Sequence, residues 1–156
     1  MSAMKIQILQ VAPSKNPSIK DLEAEYEKWV SGMLELTVTS VAASKADEMK
    51  RAQDEEKVRL LEKLDPKATR IVLDETGKLL SSLEFADLIR KERDFGPGKI
   101  QFIIGGSHGL HPDVKAQASL LLSFSKMTFP HELIRVFLKE QLFRACAILA
   151  GKTYHK

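Results

Sequence analysis

The stretch KIQFIIGG, residues 99–106, reads as a strand that stops abruptly at two glycines. Its interior is almost wholly apolar, without the alternation of a strand that faces water on one side. RIVL (residues 70–73) and LLLSF (residues 120–124) share that character. Strands of this kind are covered on both faces and belong to parallel sheets, whose crossover connections lay helices over them. The segments between them have helical spacing, so strand and helix alternate along the chain. The fold class is therefore α/β, a mostly parallel sheet flanked by helices.

Working outward, MKIQILQV (residues 4–11) is a first strand, and Pro13 and Pro17 break the segment after it. Ser18 and Asp21 suggest a capping box for a first helix. Ile19, Leu22, Tyr26, Trp29, Val30 and Met33 give that helix one buried face, and Gly32 stands where a C-terminal cap would fall. LELTVTSV (residues 34–41) is β-branched enough for a second strand. The charged segment of residues 44–66 pairs Asp47 with Arg51 and Glu55 with Arg59 at i,i+4, so a solvated, partly mobile helix is expected there, firmly packed only over residues 58–64. RIVLD is a third strand ending in a turn with Gly77. Ser81 and Glu84 form a capping box for the next helix, and FGPG ends it. HPDVKAQA is a short helix with Pro112 near its start, and SLLLSFS is the fifth strand. A last helix runs from Pro130 to about Ala150, where Gly151 ends it.

At 156 residues and 44% hydrophobic, the chain supports one core, hence a single domain over residues 1–156. The net charge of +3 permits an RNA partner without demanding one. The single cysteine, Cys146, excludes an internal disulfide, and no Cys/His spacing suggests a metal site. No secretory leader opens the sequence, and no run approaches the roughly 20 apolar residues of a membrane helix, so a cytoplasmic protein is expected.

In open α/β sheets, ligands bind beyond the carboxyl ends of the strands. Three loops leave strands there: LDETGK, GGSHGL and FSKMTF. Gly105, Gly106 and Gly109 are spaced neither as a dinucleotide fingerprint nor as a phosphate loop, and their spacing favours an ordinary tight strand-to-helix turn. The third loop carries Phe124, Met127 and Phe129, which is unusually apolar for a loop. At a ligand edge this points to the wall of a small-molecule pocket, with Ser125, Lys126 and Thr128 as its polar groups. On the last helix Ile134, Phe137, Leu138, Leu142, Ala145, Ile148 and Leu149 form an apolar arc, and Leu133, Val136, Phe143 and Cys146 lie outside it. A helix apolar almost all round needs cover on two sides, and a second copy of the chain would supply one of them. Arg135 and Arg144 interrupt that surface, either to pair with Glu132 and Glu140 or to meet an anionic substrate. His108, His111 and His131 stand singly, and none is assigned a catalytic part.

IIGGSHGL, LSFSKMTFPHELIRV, EQLFRA and the terminal YHK closely resemble the RlmH family of ribosomal large-subunit pseudouridine methyltransferases, minimal members of the SPOUT (α/β-knot) class. The resemblance is dense from residue 71 to 156 and looser at MKIQIL and EYEKW. It implies a C-terminal trefoil knot, a homodimer, S-adenosyl-L-methionine bound in the knot loops, and methylation of N3 of a pseudouridine in 23S rRNA on assembled ribosomes. Residue by residue, it assigns Leu73, Gly105, Phe124, Ser125, Lys126, Met127, Thr128 and Phe129 to the cofactor. It assigns Arg135, Arg144, Tyr154 and His155 to substrate RNA and the active site, with the tail completing a site across the dimer. The sequence departs from the family at QVAPSK, where a glycine usually follows the first strand, and matches least over residues 44–64. Methylation of tRNA by the same fold, or a non-catalytic dimer that binds an adenine-containing ligand or RNA, are the competing readings.

Overall fold

A computed structural model describes residues 4–154. Five strands, β1 (Lys5–Val11), β2 (Glu35–Val41), β3 (Thr69–Leu79), β4 (Lys99–Ile104) and β5 (Leu120–Ser123), form one sheet in the order β2-β1-β4-β3-β5. Every pairing is parallel, as the apolar strands require. The helices are α1 (Pro17–Val30), α2 (Met49–Glu62), α3 (Ser82–Phe95), α4 (Pro112–Lys115) and α5 (His131–Leu149).

Side chains alternate across the sheet and build two cores. Ile6, Ile8, Ile71 and Phe102 point to one face and meet Phe85 of α3 and Leu138 and Leu142 of α5. Leu9, Val11, Val72 and Ile103 point to the other and meet Leu60 of α2 and Val114 of α4. The interior of β4 holds one polar residue, the fully buried Gln101. Burying an amide is tolerable only when it is hydrogen-bonded. Its Nε2 donates to Gln7 Oε1 (2.8 Å) and to the Lys63 carbonyl (2.8 Å), and its Oε1 accepts from the Asp65 amide (3.0 Å). Gln7 in turn donates to Thr39 Oγ1 (3.1 Å), so a polar row crosses three strands and ties α2's exit to the sheet.

Local details differ from the sequence reading at several points. α1 is capped by Asn16, whose Oδ1 accepts from the Ser18 amide (2.9 Å) with Pro17 in the first helical position, so Ser18 and Asp21 form no capping box. Its C-cap is Ser31, one residue before Gly32. In α2 the buried residues are Ala52, Glu56 and Leu60, whereas Val58 is 54% exposed. The helix thus packs along its whole length by a face that includes an acidic residue, and Arg51 pairs within it with Glu55. β3 continues past RIVLD. Leu122 pairs with both Leu73 and Lys78, and residues 74–77 bulge out between them. A Cβ at Gly77 would lie 2.6 Å from the Leu121 carbonyl carbon, so only glycine lets this bulge close on β5. The capping box of Ser81 and Glu84 is formed, and Gly151 ends α5 at φ 71°. Ala12, just after β1, takes φ 59°, a conformation that favours glycine. This is the departure at QVAPSK: the backbone keeps a glycine-like turn although the residue is alanine.

Candidate active site

The bulge of β3, the turn after β4 and the loop after β5 converge beyond the carboxyl ends of the three neighbouring strands β4, β3 and β5. Between them lies a cavity of about 700 Å³, a size that suits a nucleoside-sized ligand. Leu73, Gly105, Phe124, Ser125, Met127, Thr128 and Phe129 all line it, and Lys126 does not.

Each wall has a local cause. Gly105 and Gly106 carry the chain off β4, and Gly109, at φ 74°, returns it so that Gly106 and Gly109 pair as an antiparallel bridge. A Cβ on Gly105 would come within 2.9 Å of Leu110 Cγ and 3.0 Å of the Gly109 carbonyl carbon. The turn is fastened from α2 by Gln53, whose Nε2 donates to the His108 carbonyl (2.6 Å). Sequence reasoning missed Gln53 because α2 carries no recognisable motif. In the β5 loop, Ser123 Oγ donates to the Ser125 carbonyl (2.7 Å) and Ser125 Oγ accepts from the Met127 amide (2.9 Å). These short-range bonds hold the apolar loop in shape while Met127 stays 74% exposed. Thr128 Oγ1 donates to Glu75 Oε2 (2.5 Å), closing the loop against the β3 bulge. Asp74 fixes that bulge from below. Burial works against its carboxylate, but hydrogen bonds from Thr76 and Lys115 outweigh it and hold its pKa below the usual value.

His131 lines the cavity at the start of α5. Burial, reinforced by the nearby Arg135 charge, lowers its pKa and favours the neutral imidazole. Arg135 itself is fully buried beneath the site rather than facing it. It donates to the Val11 carbonyl (2.7 Å) and to Ser14 Oγ (3.1 Å), and Ser14 donates to Glu23 (3.0 Å). Glu132 lends it a favourable charge but no hydrogen bond among the described contacts. Glu132 instead accepts from the Lys15 and Asn16 amides (3.0 and 3.2 Å), so α5 grips the β1 loop at two points.

Arg144 does pair with Glu140, and its guanidinium lies over the Tyr154 ring, 5.0 Å from the centroid. Tyr154 donates to Glu140 Oε1 (3.3 Å). Burial, and the negative charge of Glu140, raise the phenol's pKa, so it keeps its proton. Tyr154 also packs edge-on against Phe143, which meets Trp29, which meets Tyr26. This aromatic row runs across α1 and α5, with Trp29 42% exposed. His155 falls outside the described residues.

A parallel sheet with three strand-end loops gathered round one cavity, and an Arg–Glu–Tyr cluster on and just after the closing helix, is the frame of an α/β methyltransferase. Over residues 4–155 the sequence matches the family described as "Predicted SPOUT methyltransferase". The chain belongs to the SPOUT methyltransferase family. It is 38% identical over 152 residues to a protein of Trichlorobacter lovleyi named ribosomal RNA large subunit methyltransferase H, with 97% of this chain and 99% of that one covered. Among solved structures, the fold is shared with a methyltransferase from Legionella pneumophila bound to SAM (TM-score 0.53, 11% identity, 92% of this chain and 67% of that chain). It is also shared with a probable methyltransferase from Bordetella pertussis (TM-score 0.53, 14% identity, 91% and 96%).

Proposed function

We propose that this chain transfers a methyl group from S-adenosyl-L-methionine to N3 of a pseudouridine in 23S rRNA, acting as a single domain on assembled ribosomes in the cytoplasm. The observation that carries this reading is the meeting of Leu73, Gly105 and the 124–129 loop around one cavity at the ligand edge of the sheet. The residues suit the cofactor. Leu73, Phe124, Met127 and Phe129 give apolar walls, and Gly105 leaves out the Cβ that would strike Leu110 and Gly109 in the turn lining the cavity. Lys126, outside the cavity wall, is left to the rim. When bound, S-adenosylmethionine supplies a methyl group on a positively charged sulfur, open to in-line attack by a ring nitrogen.

The chain's own contribution is positioning and charge. Holding two reactants in line removes much of the entropic barrier to their reaction. The base must give up its N3 proton, so a nearby acceptor or a group that stabilises the anion accelerates the step. Arg144, kept cationic and oriented by Glu140, stabilises negative charge developing on the base oxygens. Tyr154, kept protonated, can turn its O–H from Glu140 to the base, and His155 is the candidate proton acceptor. Arg135 acts at one remove, by anchoring α5 to the β1 loop.

A homodimer belongs to the same reading. The row of Tyr26, Trp29, Phe143 and Tyr154 offers an aromatic face for a second copy, which would bring the tail of one subunit near the cavity of the other. The trefoil knot is part of it too, as membership of the SPOUT methyltransferase family implies. With a net charge of only +3, specificity comes from the shape of the ribosome rather than from phosphate contacts.

The test is transfer of labelled methyl from S-adenosylmethionine to ribosomes from cells lacking the endogenous activity, with tRNA as a parallel substrate and calorimetric titration of the cofactor alongside. Label in 23S rRNA at N3 of a pseudouridine is the expected result. Label in tRNA alone establishes the other enzyme, and cofactor binding without transfer establishes a binding protein.

A further inference from the structure

A second recess of about 260 Å³ adjoins the cofactor cavity. The two share Leu122, Phe124 and Phe129 as a common wall. The recess opens between the start of α3 and the middle of α5. Phe129 and Phe137 meet edge-to-face at 5.5 Å and form an aromatic side. A line of polar groups stands on the other side. Ser82 Oγ donates to Gln141 Oε1 (2.7 Å), and Gln141 Nε2 donates to Glu140 Oε2 (2.9 Å). Glu140 is the residue that also holds Arg144 and Tyr154.

We propose that this recess seats the target pyrimidine ring, and that Ser82 and Gln141 read the ring N–H that distinguishes a pseudouridine from a uridine. The inference rests on the methyltransferase reading and adds the substrate-discriminating residues to it. The shared wall sets a ring in the recess beside whatever fills the larger cavity. The aromatic side suits a base, because every base has a face that stacks. The polar side supplies what stacking cannot. A pseudouridine is joined to its sugar through carbon, so N1 carries a hydrogen, whereas a uridine presents only C–H at the corresponding edge. Gln141 Oε1 and Ser82 Oγ have lone pairs to accept from that N–H. Gln141 cannot turn its amide round freely, since its NH₂ is held by Glu140 and its oxygen by Ser82. A fixed acceptor with a lone pair to spare rewards an N–H and gains nothing from a C–H in its place, which is how polar sites favour one analogue over another.

The experiment compares methyl transfer to ribosomes carrying either pseudouridine or uridine at the target, the latter from cells lacking the responsible pseudouridine synthase. The readout is the ratio of kcat/KM on the two. Gln141→Leu removes the acceptor and keeps the size. It is expected to lower the pseudouridine-to-uridine ratio by about tenfold or more while cofactor Kd, measured by calorimetry, stays within about twofold. Gln141→Glu, which keeps an acceptor, retains the preference, and Ser82→Ala loses part of it with little risk to folding. An unchanged ratio in both Gln141→Leu and Ser82→Ala overturns the proposal and leaves the methyltransferase reading intact. Loss of cofactor binding in both variants overturns it as well, since the recess is then part of the cofactor site. If the unaltered protein binds cofactor but labels neither ribosome, the function reading has failed and this inference with it.

Discussion

Ala12 is where a single residue is in tension with its backbone. At φ 59° an alanine side chain crowds the following carbonyl, at a cost of about 1–2 kcal/mol, of which glycine's greater unfolded-state freedom would return about half. Ala12→Gly should therefore raise stability by about 0.5–1 kcal/mol, read as a higher urea midpoint at unchanged slope. Gly105 is the reverse case. With Leu110 Cγ 2.9 Å and the Gly109 carbonyl carbon 3.0 Å from any Cβ, Gly105→Ala must displace the turn that lines the cavity. Calorimetry should show cofactor affinity falling by about tenfold or more, a loss of some 1.4 kcal/mol, with the fold retained by circular dichroism. His131 gives a pH signature. Its folded pKa lies below the ordinary value of 6.5, so the folded state binds fewer protons than the unfolded one. Stability is undiminished above that value and declines as pH falls below it. Thermal melts between about pH 7.5 and 5 should trace this decline, and His131→Gln should flatten it. At this scale the apolar loop is plain in the sequence, because Phe124, Met127 and Phe129 are conspicuous in a turn. Arg135 is opaque there, since an arginine that serves as an internal strut and one that meets an anion are the same letter.

Among the elements, the strands and most helices are readable because their causes are local: apolar runs for β3, β4 and β5, Ser81 with Glu84 for α3, Pro112 for α4, Gly151 for the end of α5. α2 is readable as a helix but not as a packed one. Its inner face includes Glu56, only 4% exposed, with Oε2 bound to the Ser44 amide (2.9 Å). No periodicity rule assigns a glutamate to a core. The cap of α1 lies two residues from its expected place because Asn16, Ser18 and Asp21 all have side chains able to cap, and Pro17 decides among them. α5 is held to α1 and the β1 loop by buried charge. Lys139, almost fully buried, pairs with Glu27 (2.7 Å) and Glu23 (3.6 Å), one turn along from Arg135. Removing one member of such a set leaves the others buried and unmatched. Arg135→Met should cost about 2–4 kcal/mol in denaturant unfolding, with the loss appearing without RNA present. A variant of full stability that failed only on ribosomes would instead make Arg135 a substrate contact.

For the whole molecule, the proposed pairing of two copies rests on the aromatic row of α1 and α5. Trp29→Asp puts a charge where that face would be covered. It should convert a dimer into a species of one chain's mass, 17.5 kDa, in sedimentation equilibrium, and abolish methyl transfer while cofactor binding persists. The placing of β4 is not evident from sequence order, because which strands become neighbours depends on where the crossovers lead. That placing has a further effect. β4 is the middle strand and joins the β1–β2 pair to the β3–β5 pair within the sheet, yet it is fourth to be made. Until residue 104 has emerged from the translating ribosome, β1 and β2 can pair with each other but β3 has no strand beside it. Folding from the amino terminus can therefore go no further than that pair before β4 arrives. The rest of the sheet must wait for it, and the apolar β3 is meanwhile open to aggregation.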